Sequence, residues 1–246
     1  MKNSETNRFV LTALFALAMG SLEAIVAWYL RLLYYPTGFS FPIVSMPEVV
    51  LLAEMVRETA TIVMIASVAL IAGNNKIQRA SLFFFIFGIW DICYYLGLKI
   101  LTGWPDSLFT WDILFLIPFP WTAPVLAPVI CSLLFVAFGG TVFIMNSRGF
   151  EFTPGWRDAL PVSAGLVIIL ITFLSDCFKV IRDAAGAAGH SFLSGRDVAD
   201  AISRYVPEKY NWMLFLTGTG IIIISFLIFL RRTIARNHGK QRYHIQ

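Results

Sequence analysis

Residues 47–61 read PEVVLLAEMVRETAT and set Glu54, Arg57 and Glu58 at i, i+3 and i+4 inside an otherwise apolar run, residues 48–72. On a helix that spacing gathers the three charges toward one side. At 1.5 Å of rise per residue the run is also long enough to cross a hydrocarbon core of about 30 Å. A charge near the centre of a bilayer costs about 2.5–3.5 kcal/mol on insertion scales, so such groups face protein or a watery cavity and pair with one another. The stretch therefore predicts a membrane span and also predicts that neighbouring spans supply its partners.

Composition extends that reading to the whole chain. Of 246 residues, 58% are hydrophobic and 14% charged, with a mean hydropathy of +0.73, whereas soluble domains average about 45–50% apolar and about 25% charged. A soluble domain is excluded and the lipid bilayer is the first expected partner. The net charge of +4 comes with Arg231, Arg232, Arg236, Lys240 and Arg242 clustered after the last apolar run. That is the pattern of a cytoplasmic flank and not of a nucleic-acid binder. The first apolar run, residues 9–33, exceeds the roughly 7–15 residues of a signal-peptide core and lacks a small-residue cleavage site, so it reads as a retained span.

Hydrophobic runs divide the chain into six expected spans at about 8–34, 48–72, 80–101, 123–145, 159–177 and 211–230. The fold class is all-α, a polytopic transmembrane helix bundle forming one integral membrane domain over residues 1–246. The break in the pattern is residues 113–122, which carry Pro118 and Pro120, with Pro124 and Pro128 following. Proline removes an amide donor and disfavours helix in the residue before it. This piece is expected to be proline-broken or re-entrant, with Thr122 as N-cap of the fourth helix and residues 119–121 as a cavity wall, since irregular backbone at membrane depth survives only against protein or a cavity. Gly139, Gly140, Gly218 and Gly220 are candidates for close helix approach. Residues 194–206, SGRDVADAISRYV, have the composition of a short helix capped by Ser194.

Lys and Arg are more numerous at the ends of spans on the side of the two termini, which predicts cytoplasmic N- and C-termini. In that frame the ionisable groups of the first three spans fall in one half of the bilayer. Glu23, Glu58 and Asp91 lie about 15 Å below the outer ends of their helices and Glu54 about 9 Å, with Asp112 and Asp176 shallower. Asp91, Tyr94, Tyr95 and Lys99 share a stripe of the third span. Four acids face one committed cation, Arg57, with Arg31 and Lys99 nearer the rim. Burial and like charge together disfavour so many carboxylates, so one of them is expected to carry a proton or to bind something positive.

Glu23, Glu54, Arg57, Glu58, Asp91, Tyr94, Tyr95 and Asp112 thus form a candidate ion, proton or substrate pocket. Three readings follow. The first is a proton- or small-cation-coupled transporter or channel-like subunit. The second is a structural or accessory subunit, in a complex with other membrane subunits or in a homo-oligomer, whose charges fix helix packing with tyrosine hydroxyls as donors. The third is a carboxylate-dependent intramembrane enzyme, although the chain has no GxSxG, HExxH or phosphate-cradling glycine loop. No cofactor or metal is expected: His190, His238 and His244 all lie outside the spans, and Cys93, Cys131 and Cys177 sit in apolar segments without CxxC spacing. The abundance of Phe and Trp is assigned to lipid contact and an interfacial belt.

The segments AEMVRETAT (53–61), FGIWDICYYLGLKILTGWP (87–105) and TWDILFLIPFPWTAPVLAP (110–128) resemble a group of bacterial polytopic inner-membrane proteins with no assigned activity. The resemblance implies a bacterial inner membrane and carries no residue role.

Overall fold

A computed structural model describes residues 2–44, 46–188 and 201–243. Six long helices account for nearly all of it: α1 (Lys2–Tyr34), α2 (Glu48–Ala72), α3 (Lys76–Thr102), α4 (Leu126–Ser147), α5 (Trp156–Ala188) and α6 (Trp212–Tyr243). Each is long and apolar enough to cross a membrane. The chain is an all-α, multi-pass integral membrane protein. Residues 189–200, with His190 and the first half of the short helix expected at 194–206, lie outside the described residues, as does His244.

Several helices run past the apolar limits of their spans, because polar residues beyond the hydrocarbon can continue a helix at little cost where water or headgroups solvate them. The ends of α3 have identifiable stops. Asn75 caps its start by accepting the Gln78 amide at 2.9 Å. Gly103, with φ 74°, takes the left-handed turn that ends it. Lys99 closes the same end by donating to the carbonyls of Gly103 at 2.6 Å and Pro105 at 2.8 Å, so it serves as a helix terminator and not as a member of the polar stripe.

The proline-rich piece departs from expectation in kind. It is a two-stranded antiparallel hairpin, β1 (Trp111–Phe115) and β2 (Trp121–Pro124). Trp111 opposes Pro124, Asp112 opposes Ala123, Ile113 opposes Thr122 and Phe115 opposes Trp121, with an irregularity between Ile113 and Phe115. Pro118 and Pro120 fall in the connection and Pro124 at the strand end, where a missing donor is tolerated. Helix α4 consequently starts at Leu126 and not at residue 123. Thr122 is not its N-cap: it is a strand residue whose hydroxyl donates to Asp176 at 3.4 Å. A hairpin suits membrane depth because it pairs much of its own backbone, and the Val125 and Leu126 amides continue this by donating to the carbonyls of Thr110 at 2.9 Å and Leu108 at 2.8 Å.

Helix α3 is the centre of one group, packed on α1, α2 and α4, while α5 and α6 form a second pair joined to the rest through β2 and α4. The tight crossings rest on glycine. A Cβ at Gly20 would lie 2.5 Å from the Trp90 carbonyl oxygen, one at Gly88 2.5 Å from that of Ser132, and one at Gly139 2.5 Å from that of Ser81. A Cβ at Gly218 would lie 2.9 Å from the Gly165 carbonyl oxygen across the α5–α6 contact, but one at Gly140 would make only ordinary contacts and one at Gly220 would meet nothing within 4 Å.

Candidate functional site

Helix α2 turns Arg57 toward α1. Its Nη1 meets the Glu23 carboxylate, while Nε at 2.9 Å and Nη2 at 2.7 Å clamp one oxygen of Glu54, a turn earlier on the same helix. The guanidinium is planar and always charged, so it can serve two carboxylates at once. Arg57 is therefore committed to Glu54 and Glu23.

Glu58 follows Arg57 by one residue, hence about 100° round the helix, and has a different task. Its two oxygens accept the Leu116 amide at 3.0 and 3.2 Å, just past the end of β1. The side chain is almost wholly buried and pins the hairpin tip to α2. It makes no ion pair with Arg57 among the described residues.

A second cation, expected near the rim, is largely enclosed by protein. Arg31, near the end of α1, pairs with Asp112 on β1 at 3.4 Å and stacks over Trp104 at 3.8 Å and Phe39 at 4.6 Å from the ring centroids. Asp112 is 2% exposed, enclosed by protein, and Tyr95 faces it from α3. Trp104, expected in an interfacial belt, is buried against Arg31 and Tyr95. The signal that locates this pair is a cation at a helix end followed by several aromatic residues, which is a cation–π pattern as much as a rim pattern. Beside it, the Tyr35 hydroxyl accepts the Val44 amide at 2.9 Å, fastening the loop after α1, and burial pushes the Tyr35 phenol up from its ordinary value.

Asp91 stands apart from both arginines. Its carboxylate accepts the Ser132 hydroxyl from α4 at 2.7 Å, a contact made possible by the Gly88 crossing beside it. Tyr94 lies in the electrostatic reach of Asp112, Arg31, Arg57 and Asp91, so it occupies the middle ground between the paired charges and the isolated one. Asp91 also lines a cavity of about 560 Å³ between α3, α4 and the hairpin on one side and α5 and α6 on the other. Much of the wall is aromatic, with Phe87, Phe115, Trp121, Phe135, Phe138 and Phe226 among its residues, and Asp91 is its one charged residue. A part of the Phe and Trp content thus faces an internal space, where lipid contact and an interfacial belt were expected; of residues 119–121, expected as a cavity wall, Trp121 lines this cavity.

The eight candidate residues therefore separate into groups: Glu23, Glu54 and Arg57 together; Asp112 and Tyr95 with Arg31; Glu58 at the hairpin tip; Asp91 with Ser132; and Tyr94 between them. Arg31, Ser132 and the Leu116 amide are the partners that sequence reasoning missed. Among the described residues, no three or more His, Cys, Asp or Glu side chains gather as a metal site would require. Comparison with models of protein families, with curated proteins and with solved structures found no match to this chain.

Proposed function

We propose that the protein is a proton-responsive component of a bacterial inner membrane, with cytoplasmic N- and C-termini, in which Asp91 is the carboxyl that exchanges a proton. The observation that carries this reading is the isolation of Asp91. Glu23 and Glu54 share Arg57, Asp112 has Arg31, and Glu58 holds a backbone amide. Asp91 has a single hydroxyl, from Ser132. A carboxylate so placed in low dielectric is stabilised by taking up a proton or a cation. A proton is favoured over a metal cation, because hard cations take about six or more oxygen ligands and Asp91 with Ser132 offers too few. Tyr94 and Tyr95, in electrostatic reach of both Asp91 and Asp112, supply hydroxyls through which a proton can pass between the two acids.

The test is proton flux into vesicles reconstituted with the purified full-length chain and loaded with a pH-sensitive dye. Wild type is expected to carry flux that Asp91→Asn abolishes and Glu58→Gln retains. Vesicles with wild-type protein that leak no faster than protein-free vesicles would refute it. A second reading, an accessory subunit or homo-oligomer whose charges fix packing, draws on the completeness of the Arg57 and Arg31 pairings. It predicts a larger complex in mild detergent extracts, and Asp91→Asn that lowers thermal stability without changing flux.

A further inference from the structure

The cavity beside Asp91 has the dimensions and wall of a ligand site, and its geometry says something about the ligand. Its volume, about 560 Å³, lies inside the range of about 300–1,000 Å³ typical of small-molecule sites, which are likewise mostly apolar with a few placed polar groups. It is elongated along the bundle. At one end are Asp91 and Trp121, and its lining continues to Ile77 at the start of α3, Phe152 between α4 and α5, and Phe229 on α6. One side is closed by Phe138 stacked on Phe226 at 3.9 Å. On another, Phe84 and Leu166 line the cavity and are each 40% exposed, which offers apolar surface to a hydrocarbon chain.

The polar end selects against ordinary lipid. Asp91 lies about 16 Å from the Thr102 end of α3 at 1.5 Å per residue, close to mid-membrane. A phospholipid keeps its charged headgroup at the interface and offers nothing to a carboxyl at that depth. Ser132 satisfies one acceptor position of Asp91. Asp91 also lines the cavity, so a donor on a ligand there can reach the rest of the carboxyl, an ionised carboxylate being able to accept several hydrogen bonds. At the same end Trp121 has a buried indole N–H without a hydrogen-bond partner, which a hydroxyl oxygen can accept after a small shift.

We infer that the cavity binds a single long apolar chain ending in a small hydrogen-bond-donating head, an alcohol or an amine, with the head on Asp91 and Ser132 and the chain along the aromatic wall toward Phe229. This goes beyond proton exchange and does not need it: a chain without proton flux still has the cavity and its acceptor.

The test is binding of a radiolabelled long-chain alcohol to the purified full-length protein in detergent, read by scintillation proximity, with the unlabelled amine, methyl ester and alkane of equal chain length as competitors. Saturable binding is expected. The ester and alkane, which have no donor, should compete roughly tenfold or more weakly than the alcohol. Asp91→Leu should weaken the alcohol by a similar factor. Leu170→Trp, which fills the cavity away from every charge, should remove saturable binding while the protein remains monodisperse. Asp91→Asn separates the two heads: it should retain the alcohol and lose the amine, and a wild-type preference for the amine would assign the head as cationic. The inference is overturned if no saturable binding is found, if the alkane competes as well as the alcohol, or if Leu170→Trp and Asp91→Leu both bind like wild type. The flux assay above can fail while this one succeeds, so the two proposals are separable.

Discussion

Removing the guanidinium that two carboxylates share is the sharpest test of the charge arrangement. In Arg57→Leu, Glu23 and Glu54 remain, each with a side-chain exposure of 13%, where Arg57 itself has 26%. Deleting one partner of a buried ion pair costs about 3–5 kcal/mol, because the charge left behind is uncompensated. Partial exposure of Arg57 places this case near the lower limit, about 3 kcal/mol by the same principle. The loss should come from the stranded charges and not from lost packing, since Leu replaces much of the aliphatic stem. The triple variant Glu23→Gln, Glu54→Gln, Arg57→Leu should therefore recover to within about 1 kcal/mol of wild type, as expected where a buried ionic group is replaced entirely by neutral ones. Unfolding in mixed micelles can be followed through the free thiol of Cys177, which is buried on α5. If Arg57→Leu costs less than about 1 kcal/mol, or the triple variant is as unstable as the single one, the network does not hold the helices together as argued.

Three further outcomes are expected. Glu58→Leu strands the Leu116 amide and should cost about 1–3 kcal/mol, seen as faster amide exchange across residues 111–124 without a change in α6; Glu58→Gln, which retains an acceptor, should lie between it and wild type. Gly88→Val forces a side chain into the Ser132 carbonyl and the Val136 side chain and should destabilise by about 1–3 kcal/mol, whereas Gly220→Ala, with open space around it, should be neutral or gain up to about 1 kcal/mol in a thermal melt. Arg31→Lys keeps the charge opposite Asp112 but loses the flat stack on Trp104 and Phe39, and should cost about 0.5–2 kcal/mol with a shift in Trp104 emission.

Helix count and class are legible in the sequence because hydrocarbon imposes a length and forbids unpaired backbone, and apolar runs report both. The hairpin is not, for a physical reason. Residues 113–121 are apolar throughout, so neither the period of a strand nor that of a helix is visible, and proline excludes a helix without choosing the alternative. What selects strand pairing is tertiary: Glu58 supplies an acceptor to Leu116, and Asp112 finds Arg31 from α1. The acids themselves were readable as residues out of place. Their pairing was not, because one residue of separation on α2 sends Arg57 to α1 and Glu58 to the hairpin, a difference of rotation that requires the positions of neighbouring helices. The glycines show the same limit. Gly218 and Gly220 look equivalent in sequence, yet only the first faces a helix.

The excess of acid over cation in the first three spans now has a distribution. Two arginines face Glu23, Glu54, Glu58, Asp91 and Asp112, so charge pairing alone leaves acids over, and the fold meets them with neutral donors: an amide for Glu58 and a hydroxyl for Asp91. These two solutions are not equivalent. The amide belongs to a hairpin that Glu58 helps to hold, so its removal from the carboxylate would loosen the backbone. The Ser132 hydroxyl rotates freely about its own bond, can donate or accept, and releases Asp91 without moving a helix. A carboxyl whose partner can reverse its role, set on the wall of an apolar cavity, is able to change protonation state or ligand at small structural cost. Glu58, Glu54 and Glu23 cannot do so without breaking the contacts that join α1, α2 and the hairpin. Substitution at Asp91 is therefore expected to alter binding or flux more than stability, and substitution at Arg57 or Glu58 to do the reverse; comparable losses of stability at all three positions would place Asp91 with the structural charges.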